Sequence, residues 1–239
     1  MLPKVDVPIY DLKLLSVDKK IRFRPFTVKE EKLFLMASES QDAESVLNTI
    51  KQVVNNCILS DINVDSLPVF DLEYLFLNLR ARSISELVTL KYKCNNTVEE
   101  DKKCGNIVQF DLNLLDIKPT KENDHTNKIE INDKLGIVMK YPSFEMIEKY
   151  KDAKDASVIV NLIIDCIDYI YDAENMYYAK DTLRQELEEF IDSLQSKELE
   201  KLKLFFESMP KIKKKLQFKC NKCNHEEDID VEGIQSFFG

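Results

Sequence analysis

Two pairs of cysteines, each placed between stretches of alternating apolar and polar residues, constrain the fold of this 239-residue chain most strongly. The first pair is Cys94 and Cys104, and the second is Cys220 and Cys223. Because alternation with a period of two is typical of half-buried strands, each pair is predicted to lie at the tip of a β-hairpin. Thiolates from two such tips can complete a tetrahedral zinc site.

The two pairs differ in spacing. Two residues separate the second pair, the usual spacing of a zinc knuckle, whereas nine residues, NNTVEEDKK, separate the first pair. We expect this charged insert to bulge outward while its two cysteines still meet. Gly105 and Asn224 follow the two pairs, and both residue types tolerate the positive φ that a reversing chain requires. The alternatives are surface thiols without a metal, or a metal site lost in this protein.

The other cysteines and both histidines have simpler interpretations. Cys57 and Cys166 lie on the apolar faces of predicted helices and are expected in the core. His225 offers an alternative ligand beside the second cysteine pair, although a solvated side chain is the preferred interpretation. His125 lies in a polar segment. Neither histidine has a serine or acidic partner in a recognised arrangement.

The sequence contains no recognised catalytic motif. HExxH, GxSxG, GxxxxGK[ST] and GxGxxG are all absent. Paired acids such as Glu188 and Glu189 are interpreted as solvated faces, because the chain carries 43 acidic residues. A zinc ion held by four thiolates has no open position for water or substrate. The sequence therefore predicts a non-enzymatic protein with a structural Zn²⁺ and no small-molecule substrate.

Charge and hydropathy limit the partners. With 34 basic and 43 acidic residues the formal net charge is -9, whereas nucleic-acid binders usually carry a basic surplus. The one dense basic cluster, Lys211 with Lys213, Lys214 and Lys215, is interpreted as a solvated helix end. No apolar run approaches the roughly 18 residues that span a bilayer, and no signal peptide is recognisable. We expect no nucleic-acid or membrane binding, and a cytosolic chain with reduced cysteines.

Periodicity and the scarcity of glycine, at four residues, favour an α+β fold that is mainly helical. In the first half the predicted elements are a hairpin over 9–23, helices over 46–58 and 71–82, and strands over 88–92 and 107–112. Thr27 to Glu30 forms a capping box that starts a further helix. In the second half they are a hairpin over 129–141, helices over 158–170, 187–194 and 199–206, and a strand that leads into Cys220.

The order of elements is similar in the two halves, which indicates an internal duplication. Each half has a strand hairpin, then helices, then a cysteine-tipped β-hairpin. The predicted boundaries are 1–118 for the first repeat with the Cys94/Cys104 hairpin, 119–128 for a polar linker, and 129–239 for the second repeat with the Cys220/Cys223 hairpin. The alternative is a chance recurrence of two helical segments followed by a hairpin.

Several segments, spread over nearly the whole chain, resemble one protein family. They are KIRFRPFTVKEE from Lys20, NNCI from Asn55, DHTNKI from Asp124, GIVMKYP from Gly136 and EGIQSFF from Glu232. In this ordered set the chain resembles the baseplate hub proteins of T-even-type bacteriophages. No single segment is chemically diagnostic, and the order of the set carries the resemblance.

The resemblance implies a non-catalytic role as a subunit or assembly factor of the central hub of a contractile tail baseplate. Its partners would be phage baseplate hub proteins. Such a late protein would be present in the host cytoplasm during assembly, and it would then either remain in the virion tail baseplate or act only in assembly. A zinc-ribbon adaptor or regulator that binds a host protein or a polymerase is the alternative from another functional class.

The C-terminus ends with two adjacent aromatic residues, Phe237 and Phe238. Adjacent residues cannot face the same side of a strand, so one ring can pack on the protein while the other remains available. The simpler interpretation places both rings in the protein's own core. The functional interpretation is a tail that docks into a hub protein.

Overall fold

The computed structural model describes residues 5–39, 43–99, 102–150 and 157–237. The α-helices in these ranges are α1 (Val28–Glu39), α2 (Ala43–Cys57), α3 (Val69–Ser83), α4 (Phe144–Tyr150), α5 (Ser157–Asp165), α6 (Arg184–Asp192) and α7 (Ser196–Ser208). The strands are β1 (Tyr10–Lys13), β2 (Lys20–Phe23), β3 (Leu87–Lys93), β4 (Thr97–Glu99), β5 (Lys102–Lys103), β6 (Ile107–Asn113), β7 (Pro119–Thr120), β8 (Lys128–Glu130), β9 (Gly136–Met139), β10 (Ile167–Tyr171), β11 (Met176–Tyr178), β12 (Lys211–Lys219) and β13 (Glu226–Glu232). No helix among the described residues is both long and apolar enough to span a membrane.

The prediction of a mainly helical fold is wrong. Helices account for 38% of the residues and strands for 30%, so the fold is α+β with comparable shares of each. The helix predicted over 158–170 ends at Asp165, and Ile167–Tyr171 forms β10 instead. β-Branched and aromatic residues favour strands, and this segment pairs with β9 on one side and β11 on the other. Backbone pairing with β9 and β11 therefore overrides the apolar spacing that suggested a helix.

The basic cluster near the C-terminus is also a strand and not a helix end. Its four lysines belong to β12, which pairs with the acidic strand β13. Three cross-strand ion pairs connect the two strands: Lys211 with Glu232, Lys215 with Asp228, and Lys219 with Glu226. Opposite charges on neighbouring strands stabilise this register.

The chain divides into two compact units. The first contains Met1–Val64, Phe70–Thr120 and Lys211–Gly239, and the second contains Asp65–Val69 and Lys121–Pro210. Within the predicted linker 119–128, β7 pairs with β12 in the first unit, and His125 is buried in the second. The internal duplication, in which 1–118 and 129–239 are two repeats, rests on the similar order of elements in the two halves and stays a prediction.

In the first unit, the predicted N-terminal hairpin is present as β1 and β2, with Leu12 opposite Ile21 and Tyr10 opposite Phe23. Leu12, Ile21 and Phe23 are buried. The chain turns after β1 next to the buried carboxylate of Asp71. This carboxylate accepts a hydrogen bond from the Leu15 amide at 3.0 Å and one from the Ser16 amide at 2.8 Å.

The start of α1 contains the predicted interaction between Thr27 and Glu30. The Glu30 carboxylate accepts from the Thr27 amide at 2.8 Å and from the Thr27 hydroxyl at 2.6 Å. It also accepts from the Arg24 guanidinium at 3.1 Å. Burial opposes ionisation of Glu30, but the hydrogen bonds from Arg24 and Thr27 outweigh it and lower the pKa of this carboxyl to about 2.

We expect Glu30→Gln to remove a pH-dependent contribution to stability. Because the folded pKa lies below the unfolded value of 4.5, the contribution is fully present above pH 4.5 and is lost as the pH falls towards 2. A shift of this size corresponds to roughly 3 kcal/mol. Urea unfolding between pH 7 and pH 3 measures the part that is lost above pH 3, roughly 2 kcal/mol. Thr27→Ala, which removes only the hydroxyl bond, should lose a smaller part. An equal pH slope in Glu30→Gln and the parent would contradict the assignment.

The second unit is built on an antiparallel sheet with the strand order β11-β10-β9-β8. One face of this sheet contributes Ile129, Ile137 and Ile170 to a core that also contains side chains of α5, α6 and α7. His125 lies in this unit, stacked on Tyr141. Its ring nitrogens lie 2.9 Å from the Ser208 hydroxyl and 3.0 Å from the Tyr141 hydroxyl.

Candidate metal centre

The cysteines lie at the ends of two antiparallel hairpins of the first unit. In the first hairpin β3 pairs with β6 from Leu87↔Asn113 to Lys93↔Ile107. In the second hairpin β12 pairs with β13 and ends at Lys219↔Glu226. The hairpins pack through aromatic rings, because the Phe110 and Phe218 centroids lie 6.1 Å apart and Tyr92 meets Phe110 edge-on at 5.9 Å. This packing brings the two tips together.

The four predicted cysteines form one cluster. The Sγ atoms of Cys94, Cys104, Cys220 and Cys223 all lie within 4.8 Å of one another. Cys94 Sγ lies 3.6 Å from Cys223 Sγ, and Cys104 Sγ lies 3.8 Å from Cys220 Sγ. Ligands at about 2.3 Å from a tetrahedral zinc are separated by about 3.8 Å. The donor set and its size therefore fit a tetrahedral metal ion, and the first three cysteines of the cluster are buried.

The two cysteine tips have the same backbone hydrogen bonds despite their different lengths. The Cys94 amide donates to the Asn106 carbonyl at 2.7 Å, and the Cys220 amide donates to the His225 carbonyl at 2.8 Å. The amide after the second cysteine donates back to the first cysteine's carbonyl, at 3.0 Å in the first tip and 2.9 Å in the second. The residue at that position is Gly105, with φ 66°, or Asn224, with φ 56°. The expectation of positive φ is confirmed at both tips.

The nine-residue insert in the first tip is a two-residue knuckle with a small hairpin added. The Cys104 amide donates to the Asn96 carbonyl at 2.8 Å, which closes the chain immediately after Asn96. After Asn96 come the two short strands β4 and β5, which pair with Thr97 opposite Lys103. Asn95 and Asn96 therefore occupy the place of the two residues between the cysteines of the second tip.

This geometry predicts that residues 97–103 are dispensable for the cysteine cluster. Deleting them leaves Cys-Asn-Asn-Cys, which has the spacing of the second tip. We expect the shortened protein to keep its metal content, measured by elemental analysis, and to melt within a few degrees of the parent, since surface insertions contribute little to stability. Deletion of Asn95 and Asn96 together is the matched control and should lose metal. Loss of metal on deletion of 97–103 alone would contradict the assignment.

Hydrogen-bond donors surround the sulfurs. Burial opposes ionisation of the Cys220 thiol, but the amides of Cys223 and Lys222 and the Asn106 carboxamide donate to it and lower its pKa to about 6. The amide of His225 is the main group that lowers the pKa of Cys223. Thiolates are the form that binds metals.

The other two thiols behave in the opposite way. Burial raises the pKa of Cys94 to about 12. The Asn106 amide donates to Cys104, but burial and the sulfurs of Cys223 and Cys220 raise the pKa of that thiol. Each close sulfur pair therefore joins one thiol of raised pKa to one thiol of lowered pKa. A divalent ion would replace the protons that remain.

Two asparagines contribute to the site although the sequence did not single them out. The side-chain amide of Asn96 lies 3.6 Å from Cys223 Sγ, and that of Asn106 lies 3.5 Å from Cys220 Sγ. Asn106 also donates to the Asn221 side chain at 2.7 Å. Each asparagine thus connects the first tip to the second. The sequence hint to their role is that Asn96 follows Cys94 by two residues and Asn106 follows Cys104 by two residues.

The other singled-out residues lie elsewhere. His225 does not join the sulfur cluster, and its Nε2 lies 3.7 Å from a Glu227 carboxylate oxygen. Cys57 and Cys166 are buried as predicted, and burial raises their pKa values to about 11 and about 12. Both thiols are therefore neutral core side chains.

Two hairpins whose tips bring four cysteine sulfurs together define a protein with a ribbon-like module and a candidate metal site. The chain as a whole, over residues 7–239, matches the family described as T4 bacteriophage base plate protein. It belongs to that family and is thus a structural protein of a bacteriophage tail baseplate. The chain matches no curated protein and no solved structure.

Proposed function

We propose that this protein is a non-catalytic component or assembly factor of the central hub of the phage baseplate. The observation that carries the proposal is the family match, which covers nearly the whole chain. The segments that resemble hub proteins begin at Lys20 and end at Phe238, so they sample both compact units. Its partners would be other hub proteins, met in the host cytoplasm during assembly.

Within the hub component we assign a structural role to a Zn²⁺ ion held by Cys94, Cys104, Cys220 and Cys223. Four sulfur ligands in tetrahedral spacing are typical of structural zinc. Nitrogen donors near the sulfurs support the thiolate form, and Asn96 and Asn106, whose side-chain amides contact Cys223 and Cys220, help to orient these ligands. All four coordination positions are filled by protein, which leaves none for a substrate.

The arrangement of His125 also supports a non-catalytic role. Its two nitrogens lie within hydrogen-bonding distance of Ser208 and Tyr141, and its ring packs against both Tyr141 and Phe205. Burial, with a smaller effect from Lys121, lowers the pKa of His125. A buried, neutral histidine with both nitrogens satisfied acts as a packing element of the second unit.

The proposal is tested in cells infected with phage that carries an early stop codon in this gene. We expect tails without complete baseplates in electron micrographs, and rescue by the plasmid-encoded protein. Mass spectrometry of purified virions beside infected-cell lysate decides between a virion subunit and an assembly factor. Normal baseplates, together with co-purification of a host protein or polymerase, would instead support the adaptor or regulator.

A further inference from the structure

The four sulfurs of the cysteine cluster differ in how far solvent reaches them. Cys94, Cys104 and Cys220 are buried, whereas Cys223 is partly exposed. Cys223 is the second cysteine of the shorter tip. Because thiols are oxidised most readily where solvent reaches them, a soluble oxidant meets the cluster at the Cys223 sulfur before it meets the other three.

The close sulfur pairs join one tip to the other. Cys223 Sγ lies 3.6 Å from Cys94 Sγ, and Cys220 Sγ lies 3.8 Å from Cys104 Sγ. A disulfide has an S–S distance of about 2.05 Å, so each pair needs an approach of less than about 2 Å. A bond within either pair would fasten the hairpin of β3 and β6 to the hairpin of β12 and β13.

Apolar packing beside the sulfurs also holds the two tips together. Phe218 is buried in one cluster with the three buried cysteines, and Val108, Phe110 and Ile229 pack against that cluster. These side chains come from both hairpins. Their contacts do not depend on bonds between sulfur and metal, so they keep the sulfurs near one another while the sulfurs change partners.

From this arrangement we propose that Cys223 is an oxidation site, at which a peroxide converts the cysteine cluster into a disulfide cross-link between the two tips. The Cys223 thiol attacks hydrogen peroxide, so that one oxygen stays on the sulfur as a sulfenic acid and the other leaves as water. The Cys94 thiol then displaces the remaining oxygen as a second water and forms the Cys94–Cys223 disulfide. The two sulfurs lose two electrons, and the two peroxide oxygens gain them.

The disulfide changes what holds the tips together. It withdraws two of the four sulfur ligands, and Cys104 and Cys220 alone retain a tetrahedral ion only weakly. The new bond joins residues that are 129 positions apart, so it restricts the unfolded chain and replaces the lost cross-link. Cys104 and Cys220 are both buried, and their disulfide follows the first one.

A virion subunit meets two compartments of different redox state. The cytoplasm keeps thiols reduced, whereas disulfides persist on virion surfaces. The conversion at Cys223 would therefore follow release of the phage from the host cell. This setting rests on the proposed function, whereas the reaction itself does not and is tested on the purified protein.

The test treats the purified full chain with substoichiometric hydrogen peroxide and maps the cysteine pairs by mass spectrometry of non-reduced peptides. We expect the Cys94–Cys223 disulfide to form first, together with zinc release recorded by a chromophoric chelator. Cys57 and Cys166 are buried outside the cluster and should stay reduced as internal controls. The melting temperature of the oxidised protein should fall on addition of a reductant but not on addition of a chelator.

A matched pair of variants tests the partner of Cys223. Cys94→Ser and Cys104→Ser each remove one metal ligand, but only Cys94→Ser removes the proposed partner. We expect Cys104→Ser to keep the fast disulfide. In Cys94→Ser, disulfides at Cys223 should form several-fold more slowly, and a sulfenic acid that dimedone traps should accumulate.

The peptide map of the parent decides the pairing even where a variant fails to fold. A first disulfide other than Cys94–Cys223, the pair Cys220–Cys223 included, overturns the proposal. So does irreversible oxidation of Cys223 without any disulfide, or an equal rate of disulfide formation in the two variants. None of these results bears on the baseplate role, which the phage with the early stop codon tests separately.

Discussion

Replacement of Cys220 by serine is expected to abolish metal binding and to destabilise the first unit strongly. Protein purified without chelator should contain about one zinc per chain, and the variant should contain almost none. Structural zinc contributes of the order of 10 kcal/mol to small modules at neutral pH. Even a fraction of that value would lower the melting temperature of a chain of this size by roughly 10 °C or more.

Cys166→Ala is the matched control, because Cys166 is equally buried but lies outside the sulfur cluster. It should lose some stability through packing and keep its zinc. Treatment of the parent with a strong chelator should reproduce the Cys220→Ser phenotype, and zinc should reverse it. A metal-free parent whose melting temperature is unchanged by Cys220→Ser would refute the structural zinc.

Replacement of Phe237 by alanine is expected to cost about 3–5 kcal/mol, the range for a buried phenylalanine. Its side chain is fully buried at the end of the first unit. The tail is held in place by the Gly233 amide, which donates to the Ile212 carbonyl at 3.1 Å, and Gly233 has φ 74°. Chemical denaturation of the isolated protein measures the loss.

Phe238 lies outside the described residues, so a chain that ends at Phe237 separates the two interpretations of the tail. If Phe238 docks into a hub protein, this truncation keeps its stability and no longer co-purifies with hub proteins. If both rings belong to the core, the truncation is destabilised as well. Unchanged stability in Phe237→Ala would contradict the burial of that ring and remove the basis of both interpretations.

The sequence by itself determined the features that depend on neighbours along the chain. Alternation predicted the hairpin of β1 and β2 and the strands that flank the cysteines, and all of these are present. Helical spacing predicted α2, α3, α6 and α7. The Thr27–Glu30 interaction could be predicted from the sequence because its two residues lie three positions apart. Such patterns are local, so a short window contains all the interacting groups.

The tertiary structure decided everything that depends on a distant partner. Ile167–Tyr171 has apolar residues that suit either a helix or a strand, and pairing with β9 and β11 made it a strand. The nine-residue insert became a knuckle because the Cys104 amide bonds to Asn96. The spacing of cysteines indicated two tips. The packing of the two hairpins, which includes the contact of Phe110 with Phe218, places Cys94 beside Cys223 and Cys104 beside Cys220.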